Sequence, residues 1–167
     1  TQDNEPLFET CVQAQGVDVI EVVANPVITC GVKNGNLFDN LGNVYLRTDD
    51  WIEVFNRLSL NYGKVYWLSD ACYPRDAFFV RPSSRTDARN AYFAYLLSKV
   101  EEAKRTGQPL VGCSFKGWGG LARTEGDEWR AVYDYTAEYP ECKKGVYSIF
   151  SNDVSTTTLL RHGFRLE

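Results

Sequence analysis

Three stretches of this chain read as buried strands, because each is a short apolar run rich in β-branched or aromatic residues. They are Val17–Ala24 (VDVIEVVA), Lys64–Ala71 (KVYWLSDA) and Pro109–Trp118 (PLVGCSFKGW). Their centres recur at intervals of about 45 residues, as a βα repeat with decorated loops would give. A helix-like segment follows each run. After the first comes a long loop containing Asn34-Gly35 and Leu41-Gly42, and Asp49 and Asp50 then offer N-caps for a helix over Trp51–Leu60. After the second, Pro82-Ser83-Ser84 leads into the strongest helix, Thr86–Arg105. Its apolar stripe includes Ala88, Tyr92, Tyr95, Leu96 and Val100, and Gly107 marks its end. After the third, a long polar and aromatic loop, Gly119–Lys144, precedes a short helix near Ser155–Arg161 capped by Asn152 or Asp153.

Strands separated by helices pair in parallel through right-handed crossovers. The expected fold class is therefore α/β, with three parallel βα units whose first and third strands both pair with the middle one. Such an open sheet has two raw edges, and raw edges invite aggregation unless something covers them. The 167 residues suffice for one domain. A closed eight-fold barrel typically needs ~250. Either another chain completes the sheet, or the rest of the barrel is absent from this segment. With no initiator Met and no signal peptide, Thr1 reads as an internal or processed start.

Composition narrows the function classes. The net charge of −4 comes without a basic stripe, which disfavours nucleic acid and anionic membrane surfaces as partners. No apolar run approaches the ~20 residues of a membrane span. The five cysteines, Cys11, Cys30, Cys72, Cys113 and Cys142, are widely and irregularly spaced. With His162 the only histidine, a metal site or a Cys–His nucleophilic pair has few candidates, and no metal or cofactor is expected. Trp and Tyr are plentiful, and both combine a flat apolar face with a polar tip. That suits a pyranose ring stacked on an indole, although most such aromatics in a globular chain serve the core.

In an α/β barrel, function sits at the C-terminal ends of the strands. Here those positions are Val23, Asn25 and Pro26 after the first strand, Ser69 to Cys72 after the second, and Phe115 to Trp118 after the third. Asp70 is the only carboxylate at the end of an otherwise apolar strand. It reads as a nucleophile or base, or as a loop-capping Asp bonded to backbone N–H groups. Trp118, followed by two glycines, would place an indole at a barrel mouth with backbone free to approach; a core Trp is the alternative. Gly119, Gly120 and Arg123 admit a phosphate cradle, against a solvated or ion-paired Arg123.

Five motifs, in order, carry a family resemblance. Gly16-Val17-Asp18 followed by Pro26, Ser69–Asp76 (SDACYPRD), Thr86–Tyr92 (TDARNAY), Gly112–Arg123 (GCSFKGWGGLAR) and Gly145–Thr156 (GVYSIFSNDVST) resemble segments of the β-mannanases of glycoside hydrolase family five. The resemblance implies the sixth to eighth βα units of a (β/α)₈ TIM barrel, with residues 1–167 as a C-terminal segment. It implies a β-mannan-type polysaccharide or oligosaccharide as partner, a missing barrel half or partner chain, and a secreted or cell-surface location. It puts Asp70 at the nucleophile position, where the family has Glu, and makes Trp118, Asn25 and Arg123 substrate-binding candidates. The departures fall on the chemistry. The sixth-strand His of the family falls on Val23 and its Trp on Asn25, and the first Trp of the eighth-strand motif becomes Lys116. The expectation is a mannanase-like protein with a degraded catalytic centre and surviving glycan binding. Two alternatives stand beside it: an active retaining glycosidase once the barrel is completed, and a non-enzymatic phosphate- or partner-binding half-barrel.

Overall fold

A computed structural model describes residues 5–24, 40–76, 85–125, 128–131 and 147–165. Helix α1 (Glu5–Gln13) leads into strand β1 (Val19–Val23), helix α2 (Leu41–Tyr62), strand β2 (Val65–Ala71), helix α3 (Asp87–Thr106) and strand β3 (Leu110–Phe115). Short strands β4 (Trp118–Gly120), β5 (Ala122–Glu125), β6 (Glu128–Ala131) and β7 (Ile149–Phe150) follow, and helix α4 (Val154–Gly163) comes last. The main sheet has the order β1-β2-β3, parallel throughout, so the middle strand pairs with both others as the repeat implies.

The core lies between this sheet and its helices. Ile20, Tyr66, Leu68 and Leu110 point from the strands toward Phe8, Phe55, Leu58, Tyr92, Phe93 and Leu96, and all are buried. Aromatic rings do much of the filling, with Phe8 4.2 Å from Phe55 and Phe93 4.3 Å from Phe115 between centroids. Such pairs add a modest increment beyond the area they bury.

Several elements differ from the sequence reading. Helix α2 begins at Leu41, after Asn40, so Asp49 and Asp50 lie inside it and cap nothing. Leu41, Val44 and Thr48 supply a buried stripe at helical spacing, and Gly42 sits in the first turn, where it costs little. Asp49 instead accepts a hydrogen bond from the Tyr95 hydroxyl and pairs with Lys99 at 2.8 Å. The α2 terminus follows the rule for a left-handed cap, with Gly63 at φ 63°. Helix α1 was not anticipated; its Phe8 and Val12, one turn apart, are its only buried side chains. The stretch expected as a loop after Trp118 contains β4 and an antiparallel β5–β6 hairpin. Asn25, the Asn34-Gly35 and Pro82-Ser83-Ser84 turns, Cys30 and Cys142 lie outside the described residues.

A buried polar clamp joins the end of β2 to α3 and α4. The Arg75 guanidinium donates to the Asp153 carboxylate and, at 3.4 Å, to the Ser148 carbonyl. Arg89 donates from Nε to the Tyr73 carbonyl and from a terminal nitrogen to the Ser148 carbonyl, both at 2.8 Å. Asp153 occupies the N-cap position of α4, yet its side chain makes no cap bond there and accepts the Phe150 N–H at 2.9 Å instead. A second network locks the start of α3 to α4: the Thr156 hydroxyl donates to Asn90 at 2.6 Å, and Asn90 donates to Ser155 at 3.0 Å. Asp76 accepts the N–H groups of Asp87 and Ala88 at the α3 N-terminus, each at 3.3 Å. A carboxylate is well placed there, because those N–H groups have no partner inside the helix.

Candidate functional site

The C-terminal ends of β2 and β3 are made irregular by one extra residue. Leu68 pairs with Cys113 and Ala71 with Phe115, so β2 spends one more residue than β3 over this interval. That is the count of a β-bulge, which re-aims a side chain at a strand end. The bulge contains Asp70, whose φ of 51° is left-handed. A non-glycine residue there is uncommon, although Asp tolerates it better than most. The bulge turns Asp70 outward, with its side chain 54% exposed.

Two cross-strand bonds fix this corner. The Asp70 N–H donates to the Ser114 hydroxyl at 3.4 Å, and the Lys116 N–H donates to the Ala71 carbonyl at 3.0 Å. The side chains then meet: Lys116 Nζ stands 3.8 Å from Asp70 Oδ2. Among the described residues the contact of the Asp70 carboxylate is with the Lys116 ammonium, not with the backbone N–H groups of a loop cap. Sequence reasoning placed Lys116 at a strand end but missed this pairing.

Trp118 opens β4, two residues beyond Lys116, and the residue is 64% exposed. Its backbone pairs with Ile149 of β7, so the ring is held at the surface by a fixed strand. It is not a core Trp. Gly119 has a packing reason to be glycine: a Cβ there would come within 2.4 Å of the Phe150 ring. Gly119 is thus pressed against an aromatic ring, whereas Gly120 has open space and a left-handed φ of 69°, so only one of the two glycines is free to form part of a phosphate cradle. Arg123 lies in β5, paired in register with Arg130. Val23, at the end of β1, is 63% exposed and pairs with Ser69, the residue before Asp70.

Of the three cysteines among the described residues, two are sequestered. Cys72 and Cys113 are buried, and desolvation pushes the Cys113 thiol up to about 12, far from the thiolate form. Cys11 is free and exposed on α1. Among the described residues no group of His, Cys, Asp and Glu could hold a metal ion. No helix among them is long and apolar enough to cross a membrane.

The motif residues thus divide into two sets. Arg75, Asp76, Thr86, Arg89, Asn90, Asp153 and Thr156 build the clamp around the α3 and α4 starts, whereas Asp70, Lys116 and Trp118 face outward at the strand ends. The sequence pattern of the family 5 β-mannosidase-like glycoside hydrolases matches residues 26–165. The chain belongs to that family.

Solved structures agree on the fold. The chain is similar to a glycoside hydrolase family 5 mannosidase from Rhizomucor miehei, solved as a point mutant, with a TM-score of 0.73 at 17% identity. That match covers 97% of this chain and 41% of the other. A second point mutant of the Rhizomucor miehei enzyme, in complex with mannosyl-fructose, gives a TM-score of 0.71 at 16% identity, covering 97% and 40%. The Rhizomucor miehei mannosidase solved without a stated mutation gives 0.70 at 17%, covering 97% and 42%. No curated protein matches the chain. The chain spans about two-fifths of the length of these enzymes, and its three parallel βα units are a partial (β/α)₈ barrel.

Proposed function

We propose that this family 5 chain handles β-mannan-type polysaccharide or oligosaccharide, that its catalytic centre is weakened, and that glycan binding is the surviving role. The observation that carries this reading is the state of Asp70. It stands at the nucleophile position implied by the seventh-strand motif, yet it is an Asp, and an ammonium lies against one of its oxygens. Shortening Glu to Asp withdraws the attacking oxygen by roughly one C–C bond, ~1.5 Å. Misplacement by about 1 Å can cost ~10²-fold in rate. A retaining mechanism also needs a second carboxyl ~5–5.5 Å away. Asp76, the nearest acid in sequence, is committed to the α3 N-terminus.

The mannosyl-fructose held by the Rhizomucor miehei enzyme supports a mannose-containing oligosaccharide as the ligand class. Exposed Trp118 supports stacking of a sugar ring. The edge of β1, which no strand among the described residues covers, supports completion of the barrel by a further half, in the same polypeptide or a partner, and secretion or cell-surface display belongs to the same reading. A working glycosidase in the completed barrel is the second reading, favoured by the bulge and left-handed backbone that aim Asp70 outward. Hydrolysis assays on mannan and cellulose oligosaccharides, with binding measured in parallel, separate the two. Binding without hydrolysis is expected of the 167-residue chain, and Asp70→Glu should not create activity in it. Mannan hydrolysis by the wild-type chain, abolished by Asp70→Ala, would overturn the weakened-centre reading.

A further inference from the structure

The Asp70–Lys116 pair is poorly explained by the fold. Exposed ion pairs contribute little to stability, and this one is open to water on both sides, with side-chain exposures of 54% and 38%. Asp70 also takes a left-handed backbone, which costs free energy. Yet the corner is tied down from both strands, by the Lys116 N–H on the Ala71 carbonyl and the Asp70 N–H on the Ser114 hydroxyl. A rigid frame around an exposed charge pair is what pre-organised recognition requires.

The chemistry of the pair selects its ligand. An ammonium only donates and a carboxylate only accepts, so the two side by side match a partner that does both. Neighbouring hydroxyls of a pyranose do so, and their oxygens lie about one hydrogen-bond length apart, ~2.8 Å. Ions 3.8 Å apart can each take one of them. An anionic sugar gains little from the pair as a whole, because Asp70 already offsets the Lys116 charge and repels a second carboxylate brought beside it. We infer that Lys116 and Asp70 form a donor–acceptor couple that reads a vicinal diol of a neutral hexose, which makes Lys116 a specificity residue. This rests on the glycan-binding reading above and names the group that sets ligand class at that site.

Calorimetric titration of the intact protein with mannotriose and with a uronic acid trisaccharide tests it. Wild type, Lys116→Met, Asp70→Asn and the double variant are compared. Each single change should weaken mannotriose binding about tenfold, the double variant should be no weaker than the weaker single, and the uronate should bind less tightly than mannotriose. Lys116→Arg, which keeps charge and donors, should restore most of the affinity; it also serves if Lys116→Met folds poorly. Binding by Lys116→Met within twofold of wild type overturns the couple and leaves glycan binding standing. Strictly additive losses or a preference for the uronate do the same. Wild type that binds neither sugar overturns the couple and the proposed function together.

Discussion

The Arg75 guanidinium donates to the Asp153 carboxylate across 78 residues of sequence, and both groups are buried. Arg89 lies 3.7 Å from the same carboxylate oxygen, so one Asp serves two guanidinium groups. The Phe150 ring, 5.0 Å below the Arg75 guanidinium, adds a cation–π contact. Removing one partner of a buried pair leaves an uncompensated charge. Asp153→Ala should therefore destabilise the chain by about 3–5 kcal/mol, read as a lower urea midpoint. Asp153→Asn should cost less, because its amide oxygen can still accept.

A second stability test lies in the sheet. Trp67 of β2 covers Gly112 of β3, and a Cβ on Gly112 would come within 2.5 Å of the indole. The nearest atoms belong to a large ring, which must shift or expel the strand. Gly112→Ala should cost about 1–3 kcal/mol and move the Trp67 fluorescence. Adding Trp67→Leu should recover part of the loss, since the smaller side chain vacates the contact. Equal stability of Gly112→Ala and wild type would show that the ring yields freely.

How legible was this structure from the chain itself? The strands stood out, because a short β-branched run bounded by turn residues has few other uses. The α3 helix was legible to within a residue, for its stripe and Gly107 agree. The first turns of α2 were not. Leu41-Gly42 looks like a turn, and only tertiary contacts of Val44 and Thr48 decide for helix. Asp49 and Asp50 look like caps, and the Tyr95 hydroxyl and Lys99 give Asp49 another use. Helix α1 is too short for its pattern to speak without Phe55 to pack on. At the site, Asp70 and Trp118 were legible as strand-end residues. The Asp70–Lys116 pairing was not, because it depends on a bulge, and a bulge is a matter of register between strands far apart in sequence.

Cys113 gives a prediction in pH. Burial pushes its thiol from an ordinary value of 9.0 up to about 12. Between those values the unfolded thiol gives up its proton while the folded one keeps it, so the folded state binds more protons and stability falls as pH rises. The contribution is fully present below about pH 9 and is lost as pH climbs through about 12. By about pH 10.5 the loss should be on the order of 2 kcal/mol. Cys113→Ala lacks the titrating group. The stability difference between wild type and this variant should be flat near neutrality and shift against wild type at alkaline pH. A difference that stays constant to about pH 10.5 would mean the thiol is not held in its neutral form.

The last prediction separates a surface platform from a structural ring. Trp118 is 64% exposed, and its place in β4 is set by backbone pairing with Ile149, which any side chain permits. The residue beneath, Gly119, is fixed by Phe150 and does not depend on the indole. Trp118→Ala should therefore change unfolding free energy by no more than about 0.5 kcal/mol. If the indole stacks a sugar ring, the same change should weaken mannotriose binding by about 1–3 kcal/mol, judged from the area such a ring buries. Trp118→Phe should retain part of that affinity, because a smaller flat face remains. If both residues contact one sugar, Lys116→Met and Trp118→Ala should act on different parts of it, the hydroxyl edge and the C–H face. Loss of stability in step with loss of binding would assign the indole to packing, and unchanged binding would remove it from the site.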